Sequence, residues 1–295
     1  PPMTGATTLP DVSVITLTHN KLPVTRRCLE SLLQTRGIAW ELVVVDNGST
    51  DGTRTWLREF RRRAASHGIA VSPIANPDNA GAPAARNQGR TAARAPLLMF
   101  MDNDVSVRRR SWLKTLCDAL AARPDAAAAG PRILYPFAPF DIQCAGVGIS
   151  PTGRVSFLGR GNAADTPEHG RPRDVQCLIS ACFLVRAAAF DAAHGFDTAF
   201  NPVQFEDFDL CYRMRADGWR ILYTPRTEVY HYASVTTQGT ASVPNPALVA
   251  RHSALFKTRW RHMFATENGP ENPDRRWRHI PIPPLEAIPP PPVLD

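Results

Sequence analysis

Two acidic residues, separated by a single residue, directly follow a short apolar run of the chain. Residues 97–101 are large and apolar, and Asp102, Asn103 and Asp104 follow them. Two carboxylates this close repel each other unless a cation lies between them. Mg²⁺ and Mn²⁺ prefer oxygen ligands and usually bridge to substrate phosphates. The pattern therefore favours a divalent-metal site. Capping of a following helix, or neutralisation by the arginines at 108–110, is the alternative.

Two further polar stretches also follow apolar runs that predict strands. Asp46 comes directly after residues 41–45, and Thr18, His19 and Asn20 end the first apolar run. Because the carboxyl ends of parallel strands meet at one edge of an open sheet, these side chains are expected to converge on one crevice. Asp46 also fits an ordinary turn, since Asp-Asn-Gly-Ser is common turn chemistry.

A second acidic set lies at the start of a helix predicted at 207–217. Glu206 and Asp207 stand there, and Asp207 can either cap the helix or act as a general base near a bound sugar. His231 ends a later β-branched run. A lone histidine is usually structural, but a neutral imidazole can also complete a metal site begun by Asp104.

Strand and helix patterns alternate through the first hundred residues. Strands are predicted at 12–17, 41–45, 70–74 and 97–101, and helices at 22–35, 51–60 and 82–95. This alternation favours a mostly parallel sheet covered by helices on both faces. The segment 130–175 is rich in Gly, Pro and short apolar pieces, which predicts irregular strands and loops of the kind that carry substrate specificity.

The second half of the chain contains fewer clear repeats of this unit. Helices are predicted at 111–122, 186–193, 207–217 and 246–264, and strands at 177–185, 221–224 and 228–231. The helix at 246–264 is amphipathic and is expected to pack on the domain rather than on lipid. The proline-rich segment 268–295 predicts an extended, partly disordered tail.

Composition limits the classes of function. The chain has 295 residues and a formal net charge of +7, with 43% hydrophobic and 21% charged residues, which excludes wholesale disorder. Of its 34 basic residues only Lys21, Lys114 and Lys257 are lysines. An arginine excess fits an anionic partner, because guanidinium groups bind phosphates and carboxylates through paired hydrogen bonds. A nucleic-acid-binding module is the non-enzyme alternative, but it leaves the acidic motifs unexplained.

The six cysteines include no CxxC pair and are expected to be reduced core residues. No apolar stretch approaches the roughly 20 residues that a membrane-spanning helix needs. No charged and then apolar signal pattern opens the chain. We therefore expect a cytoplasmic protein, with peripheral contact at the inner membrane face as a further option.

A series of short motifs, in order and at regular spacing, resembles the family 2 glycosyltransferases. The opening strand and the nucleotide-binding strand of that family resemble residues 12–20 and 41–53, and Asp102-Asn103-Asp104 matches its DxD motif. The further matches are Asn79-Ala80-Gly81, Ala85-Arg86-Asn87, Cys182 to Arg186, Gly195-Phe196-Asp197, Glu206-Asp207, Asp209-Leu210-Cys211, Arg213, Gly218-Trp219 and His231. The resemblance covers roughly residues 11 to 262.

The resemblance implies an α/β fold of the GT-A type, in which helices flank a Rossmann-like nucleotide-binding sheet and a smaller part binds the acceptor. On this basis residues 1–10 are an N-terminal extension and 11–265 the GT-A domain. Within that domain, 11–110 form the nucleotide-sugar-binding half and 111–265 the acceptor-binding half. Residues 266–295 are then a Pro-rich tail.

The resemblance also implies a role for each residue of the site. Asp207 would be the catalytic base, and Glu206 and Trp219 would contact the acceptor. The nucleotide sugar would be bound by Thr18, Asn20, Asp46, Arg86, Asp102 and Asn103. Asp104 and His231, together with Asp102, would hold Mn²⁺ or Mg²⁺.

The reaction implied is the inverting transfer of a single sugar from a nucleotide diphosphate sugar to a hydroxyl acceptor. A UDP-sugar is the expected donor, with dTDP- and GDP-sugars as alternatives. A glycan or a lipid-linked saccharide would be the acceptor, in cell-envelope polysaccharide or glycoconjugate synthesis, and a rhamnosyltransferase-like branch of the family is one option. The chain has no QxxRW-type motif, which disfavours a processive synthase.

Two other enzyme classes fit the sequence less well. A sugar-phosphate nucleotidyltransferase would need a Gly-rich, Arg-containing loop after the first strand, where this chain has Thr18 to Pro23. A dinucleotide oxidoreductase would need G-x-G-x-x-G between an early strand and helix. The nearest string, at 146–151, is late and incomplete.

Overall fold

The computed structural model of the chain describes residues 9–232 and 245–295. Most of the predicted N-terminal extension lies outside these residues. The strands are β1 (Val12–Thr18), β2 (Trp40–Asn47), β3 (Ala70–Asn76), β4 (Leu97–Met101), β5 (Val105–Val107), β6 (Ala126–Leu134), β7 (Ile142–Cys144), β8 (Val147–Ile149), β9 (Val155–Phe157), β10 (Arg173–Asp174), β11 (Cys182–Arg186) and β12 (Arg220–His231). The α-helices are α1 (Leu22–Leu32), α2 (Thr53–Ser66), α3 (Ala82–Ala92), α4 (Trp112–Ala121), α5 (Ala187–Ala192), α6 (Glu206–Ala216) and α7 (Asn245–Phe264).

One large sheet organises the described residues. Its strand order is β10-β12-β6-β11-β4-β1-β2-β3, with β5 paired to β12 and β7 paired to β6, while β8 and β9 form a separate hairpin. The strands β4, β1, β2 and β3 are parallel neighbours, joined through α1, α2 and α3. Their bounds differ from the predicted ones by at most two residues. The parallel first half is therefore confirmed, and its strands all end at the same edge.

The second half of the sheet differs from the sequence prediction in two places. The strand predicted at 177–185 begins only at Cys182, because Cys177 bridges to Val147 instead of continuing the ladder. The two strands predicted at 221–224 and 228–231 are one strand, β12, with an irregular register between Thr224 and Glu228. Pro225 lies in that irregular part, and proline cannot donate a ladder hydrogen bond.

The topology brings the end of β12 to the functional edge. β11 is antiparallel to both β4 and β6, and β12 is parallel to β6. β12 therefore runs in the same direction as β4, and His231 at its end pairs with Val105 of β5, next to Asp104. Two segments more than a hundred residues apart in the chain thus meet at one edge.

The long helix α7 packs on the domain, as predicted. Its Phe256, Trp260 and Phe264 surround the ring of Tyr212 on α6, at centroid distances of 5.0, 5.5 and 6.0 Å. The Trp260 indole donates a hydrogen bond of 2.9 Å to Asp209, which is fully buried. Aromatic burial of this kind supplies most of the stability of such a contact.

The proline-rich C-terminal segment is extended but ordered against the domain, so the expectation of disorder is wrong. Ile288 is buried with Val24 and Tyr232, and its carbonyl accepts a hydrogen bond of 2.6 Å from Arg27. The backbone of Leu294 exchanges hydrogen bonds with residues 108 and 110. Proline content therefore disfavours regular structure in this segment without preventing its burial.

All six cysteines are free and buried, which agrees with the expectation of reduced core residues. Within the described part of the chain, no helix is long and apolar enough to cross a bilayer.

The approach of α3 to β1 depends on one glycine. A Cβ atom at Gly89 would lie 2.3 Å from the Cγ2 atom of Ile15, a buried residue in the centre of the sheet. Only a residue without a side chain lets the helix backbone come this close. The contact matters for function because α3 also carries Arg86.

We predict that Gly89→Ala lowers the free energy of unfolding by about 1–3 kcal/mol, because the added methyl group overpacks the interface. Helix propensity alone would instead favour alanine by up to about 1 kcal/mol. Urea unfolding measures the difference. The control is Gly170→Ala. A Cβ atom at this position would lie 3.3 Å from its nearest heavy atom, the carbonyl oxygen of Pro167. Equal stability of the two variants would contradict the packing argument.

Candidate active site

The loops after β1 and β2 are joined by polar side chains. The Asn20 side-chain oxygen accepts a hydrogen bond of 2.8 Å from the backbone of Thr50, and the Asn20 backbone donates one of 2.8 Å to the Ser49 hydroxyl. The Asp51 carboxylate accepts from the first residue of α1, Leu22, at 2.9 Å. The two loops therefore form one rigid unit at the carboxyl edge of the sheet.

Asp46 lies at the base of this unit and has an acceptor to spare. It is buried, and one of its carboxylate oxygens binds Arg54 and the backbone of Ser49. Its other oxygen, Oδ1, is buried and has no hydrogen-bond partner among the described residues. A buried acceptor without a partner is costly, so an N–H group of a ligand would be favoured there.

Thr18 and Asn103 are turned into the protein. Both contact the hydroxyl of Thr25 on α1, at 3.0 Å from Thr18 and 2.8 Å from the Asn103 amide. This chain of hydrogen bonds ties the segment after β4 to α1 and the end of β1. Thr18 and Asn103 therefore help to position these segments. Their direct contact with a nucleotide stays a prediction.

Asp102, Asp104 and His231 form a group that can hold a metal ion. Each offers one ligand atom, and these atoms lie within 4.8 Å of one another. Among the described residues this is the only group of three or more His, Cys, Asp or Glu side chains with such spacing. Two carboxylates and an imidazole form a donor set that suits Mn²⁺ or Mg²⁺. The fit supports the metal site predicted from the DxD motif.

The orientation of His231 is fixed by Gln143 of β7. The Gln143 amide nitrogen donates to the His231 carbonyl at 3.0 Å, so its oxygen is the atom that faces Nδ1 of the ring. Nδ1 must therefore carry the proton, since an amide oxygen can only accept. Nε2 faces Asp104 at 3.1 Å, where it can present a lone pair to a metal.

Charge at this position favours a cation. Burial alone would lower the pKa of His231, but the Asp104 carboxylate, with a smaller contribution from Asp102, more than offsets this and raises it. A proton on Nε2 or a bound cation would both relieve the accumulation of negative charge there.

Asp207 is a buried carboxylate at the first turn of α6. Its oxygens accept from the Ser180 backbone and from the Phe208 backbone, both at 2.9 Å. Burial, and then the neighbouring Glu206 carboxylate, raises the pKa of Asp207 to about 7. A carboxylate with a pKa near the working pH is well suited to accept a proton. The preceding residues Gln204 and Phe205 have left-handed backbone conformations, with φ of 86° and 71°, which are strained for side chains of this size.

Arg86 connects the metal ligands to α6. Its guanidinium binds Asp102 at 2.7 Å and Glu206 at 2.6 Å. Arg86 and Glu206 are buried, while the Asp102 side chain remains 32% exposed. Asn87, the next residue, exchanges hydrogen bonds of 2.8 and 2.9 Å with the backbone of Phe196. The Ala85-Arg86-Asn87 motif is thus in direct contact with the Gly195-Phe196-Asp197 motif.

These residues surround one cavity of about 270 Å³, which we call the catalytic cavity. Its walls include the predicted site residues Asp102, Asp104, Glu206, Asp207 and His231. Glu206 contributes to this lining, and its Oε2 atom is buried and has no hydrogen-bond partner among the described residues.

The structure does not bring Trp219 to this cavity, so its predicted contact with the acceptor is wrong. Trp219 directly precedes β12 and packs partly buried on the core. His231 is at the other end of β12, and a strand of this length spans roughly 35 Å. Trp219 therefore lies at the opposite edge of the sheet.

Comparison with known proteins identifies the family. Residues 13–191 match the family model described as Glycosyl transferase family 2. The chain belongs to this family. The match spans the parallel half of the sheet and continues through β11 into α5, so it contains Asp46, Arg86, Asp102 and Asp104.

Two curated bacterial proteins are similar to the chain. The O-antigen biosynthesis protein RfbC of Myxococcus xanthus is 30% identical over 79% of this chain and 18% of its own length. The N-acetylglucosaminyl-diphospho-decaprenol L-rhamnosyltransferase of Mycobacterium tuberculosis is 28% identical over 82% of each chain. The chain spans less than a third of the first curated relatives that it matches, 29% and 18% of their lengths.

Solved structures show the fold. GalNAc-T7, crystallised with UDP, GalNAc and Mn²⁺, has a TM-score of 0.67 and 17% identity, with 88% of this chain and 50% of that chain covered. The predicted GT-A fold is confirmed.

Three residues of this glycosyl transferase family 2 site were missed by sequence reasoning. Gln143 orients His231, Ser180 holds Asp207, and Arg160 lines the catalytic cavity. Gln143 and Arg160 lie in the irregular segment 130–175, where no motif distinguishes them. Ser180 lies in a stretch predicted as a plain strand.

We predict that Arg86→Met lowers the free energy of unfolding by about 3–5 kcal/mol, because it leaves the buried Glu206 carboxylate unpaired. Adding Glu206→Gln to this variant should restore part of the loss. Urea unfolding measures both changes. The control is Asp118→Asn, which breaks the exposed pair with Lys114 and should cost less than about 1 kcal/mol. An Arg86→Met variant as stable as the control would refute the buried bridge.

Proposed function

We propose that the protein is a metal-dependent, inverting glycosyltransferase that moves one sugar from a nucleotide diphosphate sugar to a hydroxyl acceptor. The observation that carries the proposal is the catalytic cavity itself, where a metal-ligand group and a buried carboxylate of raised pKa face the same space. Membership of glycosyl transferase family 2 supports the reaction class.

The donor end of the site begins at Asp46. Its buried Oδ1 can accept a hydrogen bond from a nucleobase N–H. Asp102, Asp104 and His231 would hold Mn²⁺ or Mg²⁺, and the bound ion would supply positive charge to the leaving diphosphate. The Arg86 guanidinium binds both Asp102 and Glu206, and it thereby holds Asp102 next to Asp104 and His231. The chain thus provides separate sites for the base and for the diphosphate.

The acceptor end of the site contains Asp207. In its ionised form it accepts the proton of the acceptor hydroxyl as that oxygen attacks the anomeric carbon. Ser180 keeps the carboxylate in place through its backbone N–H. Glu206 offers its second oxygen to a substrate hydroxyl. Attack opposite the leaving diphosphate inverts the anomeric centre.

The comparisons guide the choice of donor and pathway. GalNAc-T7 was solved with UDP and Mn²⁺, which makes UDP-sugars the first donors to test, followed by dTDP- and GDP-sugars. The named relatives act in O-antigen biosynthesis and in rhamnosyl transfer to a diphospho-decaprenol sugar. We extend this to the present chain as a role in cell-envelope polysaccharide or glycoconjugate synthesis.

A thermal-shift screen tests the donor directly. The chain is heated with each nucleotide sugar, with and without Mn²⁺ or Mg²⁺. A ligand that binds only the folded state raises Tm in proportion to its affinity. One nucleotide sugar should raise Tm, and only when metal is present. No metal-dependent shift with any nucleotide sugar would count against the proposed function.

We predict that Asp104→Asn abolishes the metal-dependent Tm shift and lowers donor hydrolysis about a hundredfold or more. Metal assistance supplies several kcal/mol of transition-state stabilisation, and about 1.4 kcal/mol corresponds to a tenfold rate. Asp118→Asn is the matched control, because it neutralises an exposed carboxylate far from the cavity. Full hydrolysis by Asp104→Asn in the presence of a chelator would exclude the metal site.

We predict that Asp207→Asn still binds the donor but loses transfer. In the wild type, kcat/KM should rise about tenfold per pH unit below pH 7 and level off above it, because the pKa of Asp207 is raised to about 7 and only its ionised form accepts a proton.

Protonation of a metal ligand would also lower the rate in acid, so the profile is repeated at higher Mn²⁺ concentration. If the fall in kcat/KM at low pH comes from competition between protons and metal, its midpoint moves to a different pH when the metal concentration changes. If it comes from Asp207, the midpoint stays at the same pH. A flat profile, or a midpoint that moves with the metal concentration, would remove Asp207 from the role of base.

A further inference from the structure

A second cavity adjoins the catalytic cavity, and four arginines contribute to its lining. We call it the arginine cavity. It has a volume of about 390 Å³, and Arg154, Arg160, Arg275 and Arg278 contribute to its walls. The two cavities share Arg160 and Phe157. The arginine cavity is therefore a surface pocket that adjoins the catalytic cavity.

The four guanidinium groups have few carboxylates near them. None of them forms an ion pair with a described residue. The carboxylate in the wall, Asp274, is already paired with Arg276. The Glu271 carboxylate, which accepts hydrogen bonds from Thr152, lies near Arg154 and offsets part of its charge, but it does not offset the charges of the other three arginines. The cavity therefore has an excess of positive charge that an anion would balance.

Arg160, the arginine common to both cavities, is held in a defined orientation. Its guanidinium lies 3.8 Å from the ring centroid of Trp277 and 5.4 Å from that of Phe157. Its Nε donates a hydrogen bond of 3.2 Å to the hydroxyl of Tyr135. A guanidinium fixed on aromatic faces loses little freedom when it binds an anion.

The C-terminal segment forms one wall of the arginine cavity and is firmly docked. A Cβ atom at Gly161 would lie 2.6 Å from the backbone nitrogen of Trp277. The Arg276 guanidinium also binds the side chain of Asn162. These contacts join the segment 271–278 to the loop after β9, so the four arginines are brought together by the fold.

The position of the arginine cavity suggests which part of a substrate it meets. The ring of Phe157 packs edge-on against Phe208, at a centroid distance of 6.5 Å, and Phe208 directly follows Asp207. An acceptor whose hydroxyl faces Asp207 would therefore extend past this aromatic pair towards Arg160. Asp46, at the proposed donor end of the site, lies at the end of β2, and β1 separates β2 from β4.

We propose that the arginine cavity binds a phosphoryl group of the acceptor, so that the acceptor is a phosphate or diphosphate ester. The inference rests on the proposed function, because it assigns the acceptor of that same site. Guanidinium groups recognise phosphoryl oxygens through paired, charge-assisted hydrogen bonds. The phosphoryl group belongs to a soluble sugar phosphate or to a lipid headgroup, and the two share this chemistry.

The first experiment measures binding without catalysis. Inorganic pyrophosphate is titrated calorimetrically into the full chain after metal has been removed by dialysis. The triple variant Arg154→Gln, Arg275→Gln, Arg278→Gln should raise Kd about tenfold or more. The matched control is the triple variant Arg58→Gln, Arg61→Gln, Arg62→Gln on α2, which removes the same charge from exposed positions and should leave Kd nearly unchanged.

A second arm distinguishes the source of the phosphoryl group. Flotation with phosphatidylcholine vesicles, with and without an anionic phospholipid, is compared for the same three proteins. Pyrophosphate binding lost only in the arginine-cavity variant, with no vesicle binding by the wild type, supports a soluble phosphate ester. Vesicle binding lost only in that variant supports a lipid headgroup. Absence of both kinds of binding in the wild type, or equal losses in the two variants, would overturn the inference.

The two hypotheses fail in different ways. If the proposed function is wrong, the wild type shows no metal-dependent hydrolysis of any nucleotide sugar. If only the acceptor assignment is wrong, the wild type hydrolyses its donor but binds pyrophosphate no better than the arginine-cavity variant does.

Discussion

The bridge from Arg86 to Asp102 and Glu206 is the interaction on which the site depends. It joins the end of β4 to the start of α6, and these two segments carry the carboxylates proposed to bind metal and to accept a proton. Several acidic groups around one small cavity would otherwise repel each other, at a cost that grows as water is excluded. The single buried guanidinium of Arg86, which binds two carboxylates, both reduces that repulsion and fixes the positions of Asp102 and Glu206. Gly89 supports the same arrangement from below, because it lets α3 approach the sheet closely enough to place Arg86 between its partners.

Much of the donor half could be predicted from sequence, because its information is local. Short apolar runs predicted β1 to β4 to within two residues, and the polar residue after each run fell at the carboxyl edge. The placement of Asp46 and Asp102 follows from parallel pairing alone. The pairing of His231 with Asp104 needed more, since it depends on β12 running parallel to β6 across an antiparallel β11. Resemblance to a family supplied that long-range contact where periodicity could not.

The remaining features could not be predicted because they arise from contacts between distant, irregular segments. Gln143 has no distinctive neighbours in the sequence, yet its two hydrogen bonds determine which nitrogen of His231 faces the metal-ligand group. Trp219 shows the opposite error, since its motif adjoins a strand that does reach the site but lies at the wrong end of it. Proline content was equally misleading for the C-terminal segment. Proline removes hydrogen-bond donors, but Ile288 and Trp277 still find partners on the domain.

The contrast between the two halves has a physical basis in what each must recognise. A nucleotide diphosphate has a constant shape, so strand ends and short loops with local signals suffice to bind it. An acceptor differs from one enzyme to the next, and the proposed acceptor side of this site is built from the irregular segment after β7, the strained turn before α6 and the C-terminal segment. Segments outside the regular strands and helices vary more than the sheet between related proteins. Asp207 stands where the two meet. Its pKa is raised by burial and by Glu206, the first residue of α6, and Arg86 bridges Glu206 to Asp102 after β4. The protonation of Asp207, in the second half of the chain, is therefore coupled through Glu206 and Arg86 to the carboxylate that follows β4 in the first half.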